Sequence, residues 1–258
     1  MWENFVTETR ERVTTVTIQR PPLNTLSVSA LMELGEILDT LEKDEETRVI
    51  LLTGDGDRAF SAGADISEFG QLEGGPRAAI QRAHDLFRRI ESFPKPVIAV
   101  LNGRALGGGN ELQMACHLAF ASDQARIGLP EVKLGIIPGY GGTQRLPRLI
   151  GKRKALQLLL SGEEMQAEEA KACGLVNEVF PHDQLREAAF ERAAQLARLS
   201  APLAMEGILR SVDRGMEGSI ENGLEQEAEE MLRVASSEDA AEGIQAFFTK
   251  QEPAFKGR

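Results

Sequence analysis

The sequence predicts an α/β fold followed by a helical extension at the C-terminal end. Three observations predict it. Apolar, strand-like runs at Val97 to Leu101 and Leu118 to Ala121 flank a glycine break and a helix start. Strand and helix patterns alternate up to about residue 180, and four helix patterns then follow one another at 183–199, 203–213, 219–234 and 238–249. No fixed repeat and no low-complexity segment interrupts this order.

Taken in order, 13–19 is β-branched and partly alternating, and Arg20-Pro21-Pro22 ends it because consecutive prolines cannot donate to a ladder. Ser27 is the expected N-cap of a helix whose stripe is Leu31, Leu34, Leu38 and Leu41. Val49 to Leu52 is the next strand, closed by the turn cluster 53–57. Asp65 with Glu68 three residues on reads as a capping box, placing Ala64 just outside a helix N-terminus. Pro76 fits the first turn of a further helix with Ile80, Ala83, Phe87 and Ile90 inward. The glycine-rich segment 135–142 leads into a basic amphipathic stretch at 145–154, and a short strand is expected at 176–180.

Composition narrows the function. The chain has 258 residues, 42% of them hydrophobic and 27% charged, which is ordinary globular composition. No apolar run approaches the roughly 18 residues of a membrane span. The N-terminal segment MWENFVTETRERV is acidic and lacks an apolar signal core, so a cytoplasmic location is expected. Cys116 and Cys173 have no ligand or redox spacing and read as buried thiols of a reducing compartment. A formal charge of −11 argues against nucleic acid and anionic membranes as partners. His84, His117 and His182 are scattered without metal spacing and read as structural or exposed, so no metal is expected.

The chemistry concentrates in 96–131. Gly107-Gly108-Gly109 followed by a helix start, with Gly108 as the expected cap, leaves backbone N–H groups pointing outward, and three glycines in series suit a ligand that approaches the backbone. It is no phosphate loop, for no Gly-Lys-Ser/Thr follows, and Ser61 lacks the G-x-S-x-G frame of a nucleophile. Glu111 shares a helix face with Met114, Ala115 and Leu118, so it points inward, where a carboxylate needs a reason. Glu131, among Leu129, Val132 and Leu134, is the second carboxylate of a semi-buried segment.

The strings FSAGADISEF, GRALGGGNEL, IGLPEVKLGIIPGYGGTQRL and AFFTK with PAFKGR resemble the enoyl-CoA hydratase (crotonase) family, in order and over essentially the whole chain. The resemblance implies a spiral of ββα units as the core, residues 1–198, and a helical trimerisation region, 199–258, giving trimers or hexamers. It implies hydration of a trans-2-enoyl-CoA, with the backbone N–H groups of Ala64 and Gly108 as oxyanion hole and Glu111 and Glu131 as catalytic carboxylates. Leu23, Ala62, Asp65, Ile66 and Tyr140 are then expected at the acyl-CoA site. Lys250 and Lys256 of the tail are candidates for the phosphates of coenzyme A, which is part of the substrate; no cofactor is expected. Within the superfamily the alternative is a methylglutaconyl-type hydratase or an isomerase, and an isomerase needs only one of the two glutamates. A family relative binds RNA, but net acidity and the absence of an aromatic–basic stripe disfavour that here. Asn110 beside Glu111, Tyr140 near the acyl pocket and Pro22 in place of a lysine depart from the usual family pattern.

Overall fold

The computed structural model describes residues 2–68 and 75–258, so Phe69, the last residue of the FSAGADISEF string, lies outside the described residues. The chain opens with a hairpin, β1 (Phe5–Arg10) and β2 (Val13–Ile18), turned by Glu11 and Arg12 at positive φ. β1 is the first departure from expectation: its sequence FVTETR buries only Phe5, and no glycine or asparagine marks the turn. Helix α1 (Val28–Lys43) follows, with the Ser27 hydroxyl accepting from the Ala30 amide as expected.

Three long strands then run parallel to β2: β3 (Val49–Gly54), β5 (Val97–Leu101) and β7 (Leu118–Ser122). Each is followed at once by a three-residue strand, β4 (Ala59–Ser61), β6 (Arg104–Leu106) and β8 (Arg126–Gly128). These short strands pair in parallel as a second sheet, to which β9 (Glu164–Gln166) adds antiparallel. With β10 (Glu178–Phe180) parallel to β7, the larger sheet has the order β1-β2-β3-β5-β7-β10. The helices that follow the pairs, α2 (Gly75–Glu91), α3 (Gly108–Ala115) and α4 (Gly142–Ile150), complete ββα units, and α5 (Lys152–Ser161) and α6 (Ala167–Ala172) lie on either side of β9 in the chain. The short strands were invisible to periodicity, which needs four or more residues to register.

Both faces of the large sheet are covered, which is why β3 and β5 are buried throughout and almost wholly apolar. Val16, Ile18, Ile50, Leu52, Ala99 and Leu101 pack with α1 and α2. The alternate residues Val13, Val49, Leu51, Ile98, Val100 and Phe120 pack against Leu185, Ala189, Phe190, Ala193 and Ala197 of α7 (Leu185–Leu199). The turns between sheets are fixed by side-chain amides. Asn102 donates to the Gly56 carbonyl (2.7 Å) and accepts from the Gly54 amide (3.1 Å), while buried Asn24 donates to the Ala59 carbonyl (2.8 Å).

The expected capping box takes a different form. Asp65 and Glu68 bound only a 3-10 turn, Ile66–Glu68, and Glu68 accepts instead from the Val28 amide, closing the N-terminus of α1. Ile80 is more than a third exposed, whereas Ala83, Phe87 and Ile90 are buried as expected. Cys116 and Cys173 are half-buried, and burial pushes the Cys116 thiol up to about 12.

Beyond α7 come α8 (Pro202–Gly215), α9 (Ile220–Ala235) and α10 (Glu238–Thr249). The tail folds back on its own chain. The Asp239 carboxylate accepts from the Lys256 and Gly257 amides, both at 2.7 Å, and Arg48 donates to the Phe255 carbonyl. Ile208, Val212, Met216, Leu224, Leu232, Phe247 and Phe248 remain exposed.

The two glycine environments at Gly109 and Gly35 give opposite expectations. A Cβ on Gly109 would lie 2.3 Å from the Ser61 carbonyl oxygen, a backbone atom that cannot step aside. One on Gly35, inside α1, meets only a Leu86 methyl at 3.9 Å. Gly109→Ala should therefore cost about 1–3 kcal/mol or more through overpacking, and Gly35→Ala should stabilise by roughly 0.5–1 kcal/mol through helix propensity. Denaturant melts of the two variants check the pair.

Candidate active site

The second sheet delivers three chain segments to one place. After β4 the segment Ala62 to Asp65 is strapped to the loop before α1: the Ala62 amide donates to Leu23 (2.9 Å), Leu26 to Gly63 (2.8 Å) and Asp65 to Leu26 (3.1 Å). The Ala64 amide is skipped by this pattern. After β6 the chain turns through Gly107 at φ +52, whose carbonyl accepts from Glu111 and so caps α3. The cap is thus Gly107 rather than Gly108, because the turn needs the positive φ one residue earlier. Gly108 becomes the first helical residue, and its amide is one that the helix itself cannot pair. Among the described residues neither the Ala64 nor the Gly108 amide has a protein acceptor. They are close: a Cβ on Gly108 would lie 3.1 Å from the Ala64 nitrogen, and one on Gly63 would lie 2.9 Å from the Gly108 nitrogen.

Glu111, one turn into α3, is 1% exposed. Its Oε1 accepts from the Tyr140 amide (2.8 Å) and the Gly142 amide (2.7 Å) of the glycine-rich loop. Burial pushes its carboxyl up to about 7, and the neighbouring Glu131 charge adds to the rise, while the two amides and Arg145 oppose it. Glu131 sits in a 3-10 turn, Pro130–Leu134, directly after β8. It is 9% exposed, its Oε2 is buried without a hydrogen-bond partner, and burial holds its carboxyl above the usual range. The Glu131 charge thus bears on Glu111, but burial is the main cause of the rise in both.

The loop that holds Glu111 is itself held. Arg145 donates from Nη1 to the Tyr140 carbonyl (2.9 Å) and pairs bidentately with Glu91 at 2.7 and 2.8 Å. His84 Nε2 lies 2.8 Å from the Gly139 carbonyl. Sequence reasoning missed Glu91, Arg145 and His84 as parts of the site. A signal for His84 existed, since it lies four residues after Ile80 and three before Phe87 on α2.

These groups face a cavity of about 800 Å³ walled by Ile66, Ile80, Leu134, Ile136, Ile137 and Tyr140. Tyr140 is set edge-on against Phe87 (centroids 5.9 Å apart). Of the residues expected at the site, Ala62, Ala64, Ile66, Gly108, Glu111, Glu131 and Tyr140 line this cavity. Leu23 stands behind Ala62 through its carbonyl, and Asp65 turns to Arg20 (3.4 Å) and Ser67. Lys250, at the end of α10, and Lys256, in the tail, are not brought to the carboxylates within this chain. Asn110 bonds to the Gly128 carbonyl and to Gln113, away from the cavity. Among the described residues no group of three or more His, Cys, Asp or Glu side chains is placed to hold a metal ion.

The family model described as enoyl-CoA hydratase/isomerase matches residues 8–258. The chain belongs to the enoyl-CoA hydratase/isomerase family. A probable enoyl-CoA hydratase of Bacillus subtilis (strain 168) is 47% identical over 249 residues, 95% of either chain. A 2,3-dehydroadipyl-CoA hydratase of Escherichia coli (strain K12) is 40% identical over 255 residues, 98% of this chain and 99% of its own. The crystal structure of an enoyl-CoA hydratase from Bacillus anthracis superposes with a TM-score of 0.95 at 39% identity, covering 99% of this chain and all of that one. The crotonase-like ββα core expected of the family is the fold observed, and in this member the two glutamates and the residues of the two unpaired amides line one cavity.

A buried carboxyl raised to about 7 has a consequence for stability. Because its folded value lies above its ordinary value of 4.5, the stability of this family member falls as pH rises from about 4.5 through 7 and levels off above. Glu111→Gln mimics the neutral acid and removes that fall. Urea melts should find Glu111→Gln gaining on wild type by about 2–3 kcal/mol between pH 5 and pH 8. A constant difference across that range would contradict the burial cost assigned to Glu111.

Proposed function

We propose that the chain is an enoyl-CoA hydratase, a carbon–oxygen lyase that adds water reversibly and syn to a trans-2-enoyl-CoA to give the 3-hydroxyacyl-CoA. The observation that carries this is that two buried carboxyls and two unpaired amides belong to residues lining one apolar cavity. The amides of Ala64 and Gly108 form the oxyanion hole. They donate to the thioester oxygen and hold it as the carbon–carbon double bond gives up its electron pair and charge grows on that oxygen. One such donor is worth about 10²–10³ in rate, or about 2.7–4 kcal/mol.

Glu111 takes a proton from water as its oxygen bonds to Cβ, and Glu131 gives a proton to Cα. Each transfer contributes roughly 10²–10⁴. One proton leaves Glu131 and one arrives on Glu111, so the pair keeps a single proton and needs only to exchange it before the next turnover. Raised carboxyls that interact suit such sharing. The reaction asks for no metal or redox cofactor, since both hydrogens and the oxygen come from water. The walls favour an aliphatic acyl chain: among the described residues no Lys or Arg lines the cavity to meet a second carboxylate.

In the same reading the protein is cytoplasmic and serves fatty-acid or related acyl-CoA degradation. Residues 1–198 are the core and 199–258 the trimerisation region of a homotrimer or hexamer, for which the exposed apolar side chains of α8, α9 and α10 speak. Lys250 stands two residues after the exposed Phe247 and Phe248 pair, a position from which it and Lys256 could meet the phosphates of acyl-CoA held by a neighbouring subunit.

Crotonyl-CoA hydration, followed by loss of enoyl-thioester absorbance, is the direct test. Glu111→Gln and Glu131→Gln should each lower kcat by at least roughly 10²-fold with the fold retained. Near-native turnover in either variant would remove that residue from the mechanism.

A further inference from the structure

We propose that His84 is a positioning residue for Glu111, acting through the Gly139–Tyr140 peptide. This rests on the reading of Glu111 as the base that activates water. The Gly139 carbonyl can only accept, so the His84 Nε2 at 2.8 Å carries a hydrogen and donates it. The N–H of that same peptide belongs to Tyr140 and donates to Glu111 Oε1 at 2.8 Å. His84, one peptide group and the carboxylate therefore form a single line of two hydrogen bonds.

A donor on the carbonyl oxygen polarises the peptide, strengthens its N–H as a donor and fixes its plane. Both effects favour the carboxylate form of Glu111, the form that can accept a proton. The second amide on Glu111, that of Gly142, belongs to the Gly141–Gly142 peptide. Its carbonyl, on Gly141, accepts from the Gln144 and Arg145 amides, both at 2.9 Å. The two peptides holding Glu111 are thus both loaded at their oxygens, one by the start of α4 and the other by a side chain of α2. Only the second can be changed without rewriting the loop. Among the described residues, and apart from His84, the titratable or charged groups that bear on Glu111 are Glu131 from the 3-10 turn, Arg145 from α4 and Tyr140 from the loop.

The sequence supplies a direct probe. Tyr140 is the sole tyrosine of the chain, so protein labelled with ¹⁵N-tyrosine gives one backbone amide resonance, from the peptide in question. In the wild type that resonance should follow the ionisation of Glu111, with a midpoint near 7, and it should lose this titration in Glu111→Gln. His84→Leu should raise the midpoint by about half a pH unit or more. It should move the acid limb of the kcat profile with it, lowering turnover about threefold on that limb. His84→Gln keeps an N–H of similar reach and carries no titrating group, so it should restore both readouts. His84→Asn, one methylene shorter, should behave like the leucine variant, and it replaces that variant should leucine disturb folding.

The proposal is overturned if the midpoint and the limb stay in place in the leucine and asparagine variants, or if glutamine restores neither. A wild-type protein without activity on crotonyl-CoA would count against the hydratase reading alone, because the amide titration decides the role of His84 by itself.

Discussion

The site depends on how closely two stretches of backbone can approach each other. The start of α3 presses against the end of β4 at a distance that excludes even a methyl group. Ser61 backbone fills the space beside Gly109, and the Gly108 amide fills the space beside Gly63. This contact puts the Ala64 and Gly108 amides side by side. It is reached because β4 and β6 are paired strands of one sheet, so the segments that leave them must emerge as neighbours. The second sheet, small as it is, sets the spacing of the site. The large sheet in turn fixes the second, since each short strand begins a few residues after a long one and the turns between are tied by Asn24 and Asn102.

The same arrangement makes the carboxylates expensive. Glu111 comes from the α3 turn and Glu131 from the residues after β8, and burial raises both. A fold selected for stability alone would place a leucine at position 111. The protein instead stabilises part of the charge with two peptide N–H groups, and it leaves the buried Glu131 Oε2 without a hydrogen-bond partner. Unpaired polar atoms are rare inside proteins. Three of them here, two amides and one carboxylate oxygen, lie around one cavity.

Much of this was legible in the sequence, for definable reasons. The long strands and α1 announce themselves because both faces of the sheet are buried and Ser27 supplies a cap. The inward turn of Glu111 follows from its place among Met114, Ala115 and Leu118. What could not be read was whatever depends on tertiary contact between short segments. β4, β6, β8 and β9 have three residues each and carry no periodicity. Glu68 caps the neighbouring helix rather than its own, a choice no local pattern records. The shift of the helix cap from Gly108 to Gly107 is a difference of one residue within a run of three identical ones. His84 shares the stripe of α2 with Ile80 and Phe87, but what it does there depends on the Gly139 carbonyl that it meets, which no local pattern records.

The choice of peptides over cations as partners for Glu111 follows from the task proposed for it. A lysine or arginine placed directly on the carboxylate would hold its pKa well below the ordinary range, and a base so weakened would extract little from water. Two neutral N–H donors orient the same oxygen with a smaller depression, and burial carries the net value to about 7. Arg145 stands near enough to supply a full charge, yet it pairs bidentately with Glu91 and offers the loop one hydrogen on the Tyr140 carbonyl. Its charge is largely answered before it reaches Glu111, while its rigid geometry is retained. An acidic chain can in this way keep a strong base at its centre: dipoles do the holding near the carboxylate, and the compensated cation one shell away braces the loop from which those dipoles come.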